Sequence, residues 1–212
     1  MIKALIFDLD NTLIDRQRAF REMLYRRFKE LKLDETKIDQ MVDDIIKWDN
    51  NGEVPRLEVF QQWIDKYHIT EIDAKTLDRQ WSEESGTVAF LYDDVRETLS
   101  RLKEKYRLAV LSNGNSSSQR RKMNSIKIDD LLDYSLISGE FHVNKPDPQI
   151  YRYVCDQLGV RPQECIYIGD NYRIDVEGSK NAGMEAIYID RFNKPHPGTT
   201  TIHEIKDLLE IL

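Results

Sequence analysis

Ala4, Leu5, Ile6 and Phe7 form an apolar run with no polar break, and it leads straight into Asp8, with a second acid, Asp10, two positions on. A short apolar run without alternation predicts a strand buried on both faces, as in a parallel sheet. Similar runs at 108–111, 134–137, 165–168 and 186–189 predict further strands. Helical stripes separate them. Val95, Leu99 and Leu102 line one helix, and Ile150, Tyr151, Val154 and Leu158 line another. The second starts at an Asp147 cap with Pro148 in its first turn and ends at Gly159. A further helix runs through Val176 to Ala182 and closes at Gly183. Thr201 and Glu204 have capping-box spacing, which predicts a last helix with Ile202, Ile205, Leu208, Leu209 and Leu212 on its buried face.

Residues 16 to 87 follow a different pattern. Phe20, Met23, Leu24, Phe28 and Leu31 recur at helical steps, as do Ile38, Met41, Val42, Ile45 and Ile46. Leu57, Phe60, Trp63, Ile64 and Tyr67 form a third stripe, and Ala74, Leu77 and Trp81 a fourth. No strand signal interrupts them. Alternating strands and helices elsewhere imply a parallel sheet with right-handed crossovers. The expected fold is therefore α/β, a parallel sheet core with helices on both faces, formed by residues 1–15 and 88–212. An all-helical cap, residues 16–87, is inserted after the first strand.

Composition narrows the class. A net charge of −7 argues against a nucleic-acid polymer or an anionic membrane as partner, without excluding a small anionic ligand in a local positive pocket. Cys155 and Cys165 lack metal-type spacing and are too few for a disulfide framework, which favours a reducing, cytoplasmic setting. No run approaches the ~20 apolar residues of a membrane span. His68, His142, His196 and His203 have no ligand or triad spacing. Nothing indicates an obligate protein partner.

In open α/β sheets, sites form outside the carboxyl ends of the strands. Polar groups stand at three such ends: Asp8 with Asp10, Ser112 with Asn113, and Asp170. Asp8 and Asp10 point the same way if the extended backbone persists. Converging carboxylates need a cation, hydrogen-bond donors or a shared proton, and an all-oxygen set of this kind suits magnesium. Lys145, just before the helix that begins at Pro148, can bring an ammonium to the same edge. Ser112 offers a hydroxyl and nearby N–H groups for phosphate oxygens.

These residues resemble the ordered motifs of the haloacid dehalogenase superfamily, in its branch with a helical cap after the first strand. Asp8-Leu9-Asp10-Asn11-Thr12 resembles the first motif and Ser112-Asn113-Gly114 the second. Lys145-Pro146-Asp147-Pro148 resembles the third, and Gly169-Asp170 with Asp175 the fourth. The resemblance implies a Rossmann-like core and a phosphatase acting on a small phosphorylated metabolite. Asp8 would be the nucleophile and Asp10 the general acid and base, with Ser112 and Lys145 completing the catalytic set. Asp8, the backbone carbonyl of Asp10, and Asp170 would hold Mg2+. Thr12 and Asp175 would be supporting groups, with Asp175 either near the metal or orienting Lys145. Ser112, Asn113 and Lys145 would bind the phosphate. The stretch from Trp48 to Arg56 resembles the caps of nucleotidases and sugar-acid phosphatases. Arg16, Trp48, Asn51, Arg56 and Tyr92 are therefore candidates for contact with the leaving group, Trp48 and Arg56 foremost.

Three other readings use parts of the same pattern. A phosphomutase shares the aspartyl-phosphate but returns the phosphoryl group to substrate. A dehalogenase attacks carbon and needs no magnesium, so Asp10 and a full acidic set speak against it. A receiver-like signalling module stores phosphoryl on an aspartate, but it lacks a helical insertion and its lysine follows its acids, whereas Lys145 precedes Asp170.

Overall fold

The computed structural model describes all 212 residues, Met1–Leu212. The chain divides into two compact units, Met1–Asp15 with Ala89–Leu212, and Arg16–Val88. β1 (Ala4–Phe7) opens the first unit. The second unit is built from α1 (Arg16–Glu30), α2 (Ile38–Asp49), α3 (Arg56–Tyr67) and α4 (Ala74–Glu84). The first unit then resumes with α5 (Val95–Leu102), β2 (Arg107–Ser112), α6 (Ser116–Ile126), β3 (Tyr134–Ile137), α7 (Ser138–Phe141) and α8 (Pro148–Leu158). It closes with β4 (Cys165–Gly169), α9 (Gly178–Ala182), β5 (Glu185–Ile189), β6 (Thr201–Ile202) and α10 (Leu208–Ile211).

The six strands form one parallel sheet in the order β3-β2-β1-β4-β5-β6. β1 is interior to the sheet and fully buried, which is why it reads as a continuous apolar run. Its two-residue alternation divides the core. Leu5 and Phe7 pack with Val95, Leu99 and Leu102 of α5, Met123 and Ile126 of α6, and Leu208 of α10. Ala4 and Ile6 pack on the other face with Ile150, Tyr151, Val154 and Leu158 of α8 and Ala182 of α9. Helices thus cover both faces. The order of the strands reverses between β1 and β4, and that junction is where crevices open in such sheets. Asp8 N donates to Ile168 O at 2.9 Å, carrying the ladder one residue past β1 and fixing Asp8 beside the end of β4.

The segments that leave and re-enter this unit are pinned to each other. Asp15 N donates to Phe90 O at 2.8 Å and Tyr92 N to Leu13 O at 3.1 Å, flanking an antiparallel Ile14–Leu91 bridge. The helical unit has its own core, in which Phe28 stacks on Trp63 with centroids 4.7 Å apart and Phe20 meets Trp81 edge-on. Val88 packs with this cluster. Cys155 and Cys165 are buried free thiols with sulfurs 3.4 Å apart. No helix is long and apolar enough to cross a membrane.

Three sequence expectations change. Thr201 does not cap the last helix. It begins β6, held by parallel pairing to Tyr188 and Ile189 of β5. Asp207, the last residue of a 3-10 turn ahead of α10, closes that turn instead: its Oδ2 accepts from the backbone N–H of both His203 and Glu204 at 3.0 Å. Leu57 is 40% exposed, and Val59 takes its place in the buried face of α3. The turn ahead of α9 is a π-helix, Tyr172–Glu177, rather than a uniform α-helix from Val176.

Candidate active site

Lys145 is the hub of the site. It lies in the loop before α8, a helix started by Asp147, whose side chain accepts from Gln149 N at 2.9 Å. Asn113 fixes the lysine's backbone from the end of β2. Its Nδ2 donates to Lys145 O at 2.9 Å, and its Oδ1 accepts from Lys145 N at 2.8 Å. The side chain is only 2% exposed. Its ammonium donates to Asp8 Oδ1 at 2.6 Å, Tyr167 Oη at 2.7 Å and Asp175 Oδ1 at 2.8 Å, so all three of its protons have acceptors. Tyr167 Oη in turn donates to Leu111 O at 2.8 Å. Burial alone would push the lysine's pKa down, yet Asp175 and Asp8 outweigh it and hold the group well above its ordinary value.

Asp175 is aimed by the π-helical turn. Its Oδ2 accepts from Asn171 N at 2.9 Å, while Oδ1 serves the lysine. Gly169 makes room for it. A Cβ at that position would sit 2.4 Å from Asp175 Cγ, a distance real atoms do not tolerate.

Carboxylate oxygens of Asp8, Asp170 and Asp175 all lie within 4.8 Å of one another, with a single buried ammonium among them. The imbalance is visible in the acids. Burial, with Asp175 adding to it against the pull of Lys145, pushes Asp8 up to about 7. Burial, followed by Asp8 and Asp175, raises Asp170 well above the carboxylate range. Such a cluster stays ionised only if more positive charge is supplied. Magnesium bonds oxygen at about 2.0–2.1 Å, which places neighbouring ligands about 3–4 Å apart, so this all-oxygen set fits it after a small contraction. Asp8 and Asp170 are the better candidate ligands, because both oxygens of Asp175 already accept hydrogen bonds.

Asp10 is held elsewhere, by groups the sequence reading did not single out. Lys122 Nζ straddles its carboxylate, 2.8 Å from Oδ1 and 2.7 Å from Oδ2. Gln119 Nε2 donates to Asp10 Oδ2 at 2.9 Å and also reaches Ser112 Oγ at 2.8 Å and Asn113 O at 3.2 Å. Both residues lie on α6, whose N-cap Asn115 accepts from Ser118 N at 3.2 Å. A signal for them existed. Gln119, Lys122, Met123 and Ile126 follow helical spacing, and the polar pair occupies the end of that stripe nearest Ser112. Tyr167, by contrast, reads in the sequence only as part of the apolar strand 165–168.

The remaining candidates are placed as follows. Ser112 is buried and its Oγ donates to Asn113 O at 3.3 Å. Thr12 is fully buried; its Oγ1 has no hydrogen-bond partner, and its carbonyl accepts from Arg191 at 3.2 Å. The Arg191 guanidinium lies 3.8 Å from the Tyr92 ring centroid. In the helical unit, Arg16 forms a two-pronged pair with Asp49 at 2.7 and 3.0 Å. Gln17 donates to Asn51 there at 3.1 Å. Arg56 pairs with Asp78 at 3.5 Å and faces the Trp81 ring. Trp48 is half-buried, with the Lys66 ammonium 5.3 Å from its ring centroid.

Comparison with known proteins follows this geometry. The family model described as haloacid dehalogenase-like hydrolase matches residues 5–189. N-acylneuraminate-9-phosphatase of Mus musculus is 28% identical, over 99% of this chain and 94% of its own length. (S)-2-haloacid dehalogenase 4A of Burkholderia cepacia is 34% identical, over 57% of this chain and 53% of its own. The solved structure of the HAD-hydrolase YfnB from Bacillus subtilis, bound to magnesium, superposes with a TM-score of 0.78 at 22% identity, covering 100% of this chain and 98% of that one.

The close approach at Gly169 yields a stability prediction. Gly169→Ala drives Asp175 off the lysine and leaves buried charge partly unpaired, so the protein should lose about 1–3 kcal/mol in a urea melt. An unchanged midpoint would show that Asp175 has another place to go and that its pairing with Lys145 is dispensable.

Proposed function

The chain belongs to the haloacid dehalogenase-like hydrolase family, and on that premise we propose that it is a magnesium-dependent phosphatase. It would hydrolyse the phosphoric monoester of a small metabolite by way of a phosphoryl group carried on Asp8. The observation that carries this reading is the buried Lys145 ammonium 2.6 Å from Asp8, inside a cluster of carboxylates, with a second acid two residues on held by a separate lysine.

In the first half-reaction, an oxygen of Asp8 attacks phosphorus and the bond from phosphorus to the ester oxygen breaks. Asp10 gives the departing alkoxide a proton, a contribution worth roughly 10²–10⁴ in rate. In the second half, Asp10 takes a proton from water as that water attacks the phosphoryl group, which restores Asp8 and frees phosphate. Lys145 orients the Asp8 carboxylate and adds positive charge where the transferring group gathers negative charge. The Ser112 hydroxyl and nearby backbone N–H groups bind phosphate oxygens. Magnesium, held by Asp8, Asp170 and the Asp10 carbonyl, would supply charge that lets an anionic ester approach an anionic nucleophile.

Sequence likeness to a phosphatase runs over 99% of the chain, whereas that to (S)-2-haloacid dehalogenase 4A covers 57% of it, which supports phosphorus rather than carbon as the atom attacked.

Two measurements test the reading. Asp8→Asn removes the nucleophile, so phosphate release from an aryl phosphate should fall by at least about 10⁴-fold while the melting temperature is retained. Substantial activity in pure variant would remove Asp8 from the bond-making role. The second measurement uses the raised Asp8 carboxyl. Below its value of about 7 the group holds a proton that a metal must displace, and above it the carboxylate is ready. Magnesium affinity measured by calorimetry should therefore rise with pH, weakening by about tenfold or more for each pH unit below 7 as Asp8, and Asp170 with it, takes up protons. An affinity flat from pH 5.5 to 8, or full turnover after exhaustive chelation, would contradict a metal site at Asp8.

A further inference from the structure

Asp10 is the acid–base group of the proposed reaction, and its side chain does not share the Lys145 hub. It is caught between two residues of α6, one turn apart. The Lys122 ammonium contacts both carboxylate oxygens, at 2.8 and 2.7 Å, and an amide contact from Gln119 at 2.9 Å fixes the rotation of the group about that axis. Gln119 is only 3% exposed. Its neighbours dictate which end of the amide faces them, because a carbonyl and a carboxylate both accept. The NH2 group has two hydrogens and three acceptors in reach, Asp10 Oδ2, Ser112 Oγ and Asn113 O, so at least one hydrogen is shared. The same amide therefore ties the acid–base carboxylate to the Ser112 hydroxyl at the end of β2. Gly114 makes the packing possible. A Cβ there would press on Gln119 Cγ at 3.3 Å, and its φ of +135° suits glycine.

We infer that Gln119 and Lys122 are positioning residues for Asp10, setting where its proton stands relative to the leaving oxygen. The inference rests on the phosphatase reading above and names a part of the reaction that reading leaves without support. Asp10 precedes Asn11, a residue with φ of +57°, in a loop that has already left the sheet ladder, so strand geometry alone does not aim it. A proton donor misplaced by about 1 Å can lose 10²-fold in rate. Two anchors from one rigid helix face remove that freedom. Lys122 has a second consequence. Its charge faces the acid–base group, while Lys145 faces the nucleophile, so each aspartate has its own cation.

The test separates help to the leaving group from general damage. Esters of 4-nitrophenol, phenol and benzyl alcohol have similar bulk but need progressively more proton donation as the leaving oxygen becomes more basic. The quantity to follow is kcat/KM, which stops at the first irreversible step and so excludes hydrolysis of the intermediate. In Lys122→Met and in Gln119→Leu, kcat/KM for 4-nitrophenyl phosphate should stay within about threefold of the parent, while that for benzyl phosphate falls about 10²-fold. Lys122→Arg, which keeps a cation that can bridge two oxygens, should recover about tenfold of the benzyl phosphate loss. Asp10→Asn supplies the reference slope across the three esters. Equal losses on all three in folded variants would mean that the pair supports the structure or binds the phosphate, and would overturn the inference. So would Lys122→Met and Gln119→Leu both matching the parent slope while Asp10→Asn departs from it. A parent enzyme with no activity on any of the three esters would instead refute the phosphatase reading, and the inference would fall with it.

Discussion

A buried ammonium surrounded by acceptors is the constraint on which this site depends. Lys145 joins the ends of three parallel strands: β1 through Asp8, β2 through the Asn113 clamp on its backbone, and β4 through Tyr167 and the Asp175 turn. Removing one partner from such a buried pair typically costs about 3–5 kcal/mol, because a charge is left without compensation. The lysine is thus as much a part of the core as of the site. Its surroundings also set the limit of what it can neutralise. Burial, with one ammonium among three carboxylates, leaves Asp8 and Asp170 with raised proton affinity, and a hard cation is the natural complement.

The separation of Asp8 from Asp10 follows from backbone geometry. Asp8 still belongs to the ladder through its bond to Ile168, whereas Asp10 forms a bridge with Ile14 in the loop beyond. The two-residue repeat of an extended strand brings both acids to one edge, and the turn then gives them different partners. A nucleophile and an acid–base group need different electrostatic surroundings to act at one pH. Here each acid has a lysine of its own, Asp8 one in the loop before α8 and Asp10 one on α6.

Much of this was legible in the chain. β1 reads as a buried strand because it is interior to the sheet and loses both faces to helices, so no polar residue fits within it. Lys145, Asp8, Asp170 and Asp175 stand in ordered motifs at strand ends, and parallel topology brings strand ends together. The rest depended on contacts that sequence spacing does not encode. Lys122 meets Asp10 across 112 positions, and a lysine on a helix is ordinarily a solvated one. Tyr167 alternates correctly for a buried strand, which conceals that its hydroxyl serves the lysine. Thr201 carries a convincing cap spacing, yet backbone pairing with β5 takes it into the sheet, and the Asp207 carboxylate closes the turn that follows.

The central claim is that Asp8 carries the phosphoryl group. The most direct measurement is to mix the protein with magnesium and a rapidly cleaved aryl phosphate, quench with acid within the first turnover, digest at low pH and map the adduct by mass spectrometry. The account predicts a phosphoryl group on the peptide containing Asp8, removed by hydroxylamine and absent from Asp8→Asn. Phosphate released in the first turnover with no acyl phosphate on that peptide, or with the adduct on another residue, would contradict it.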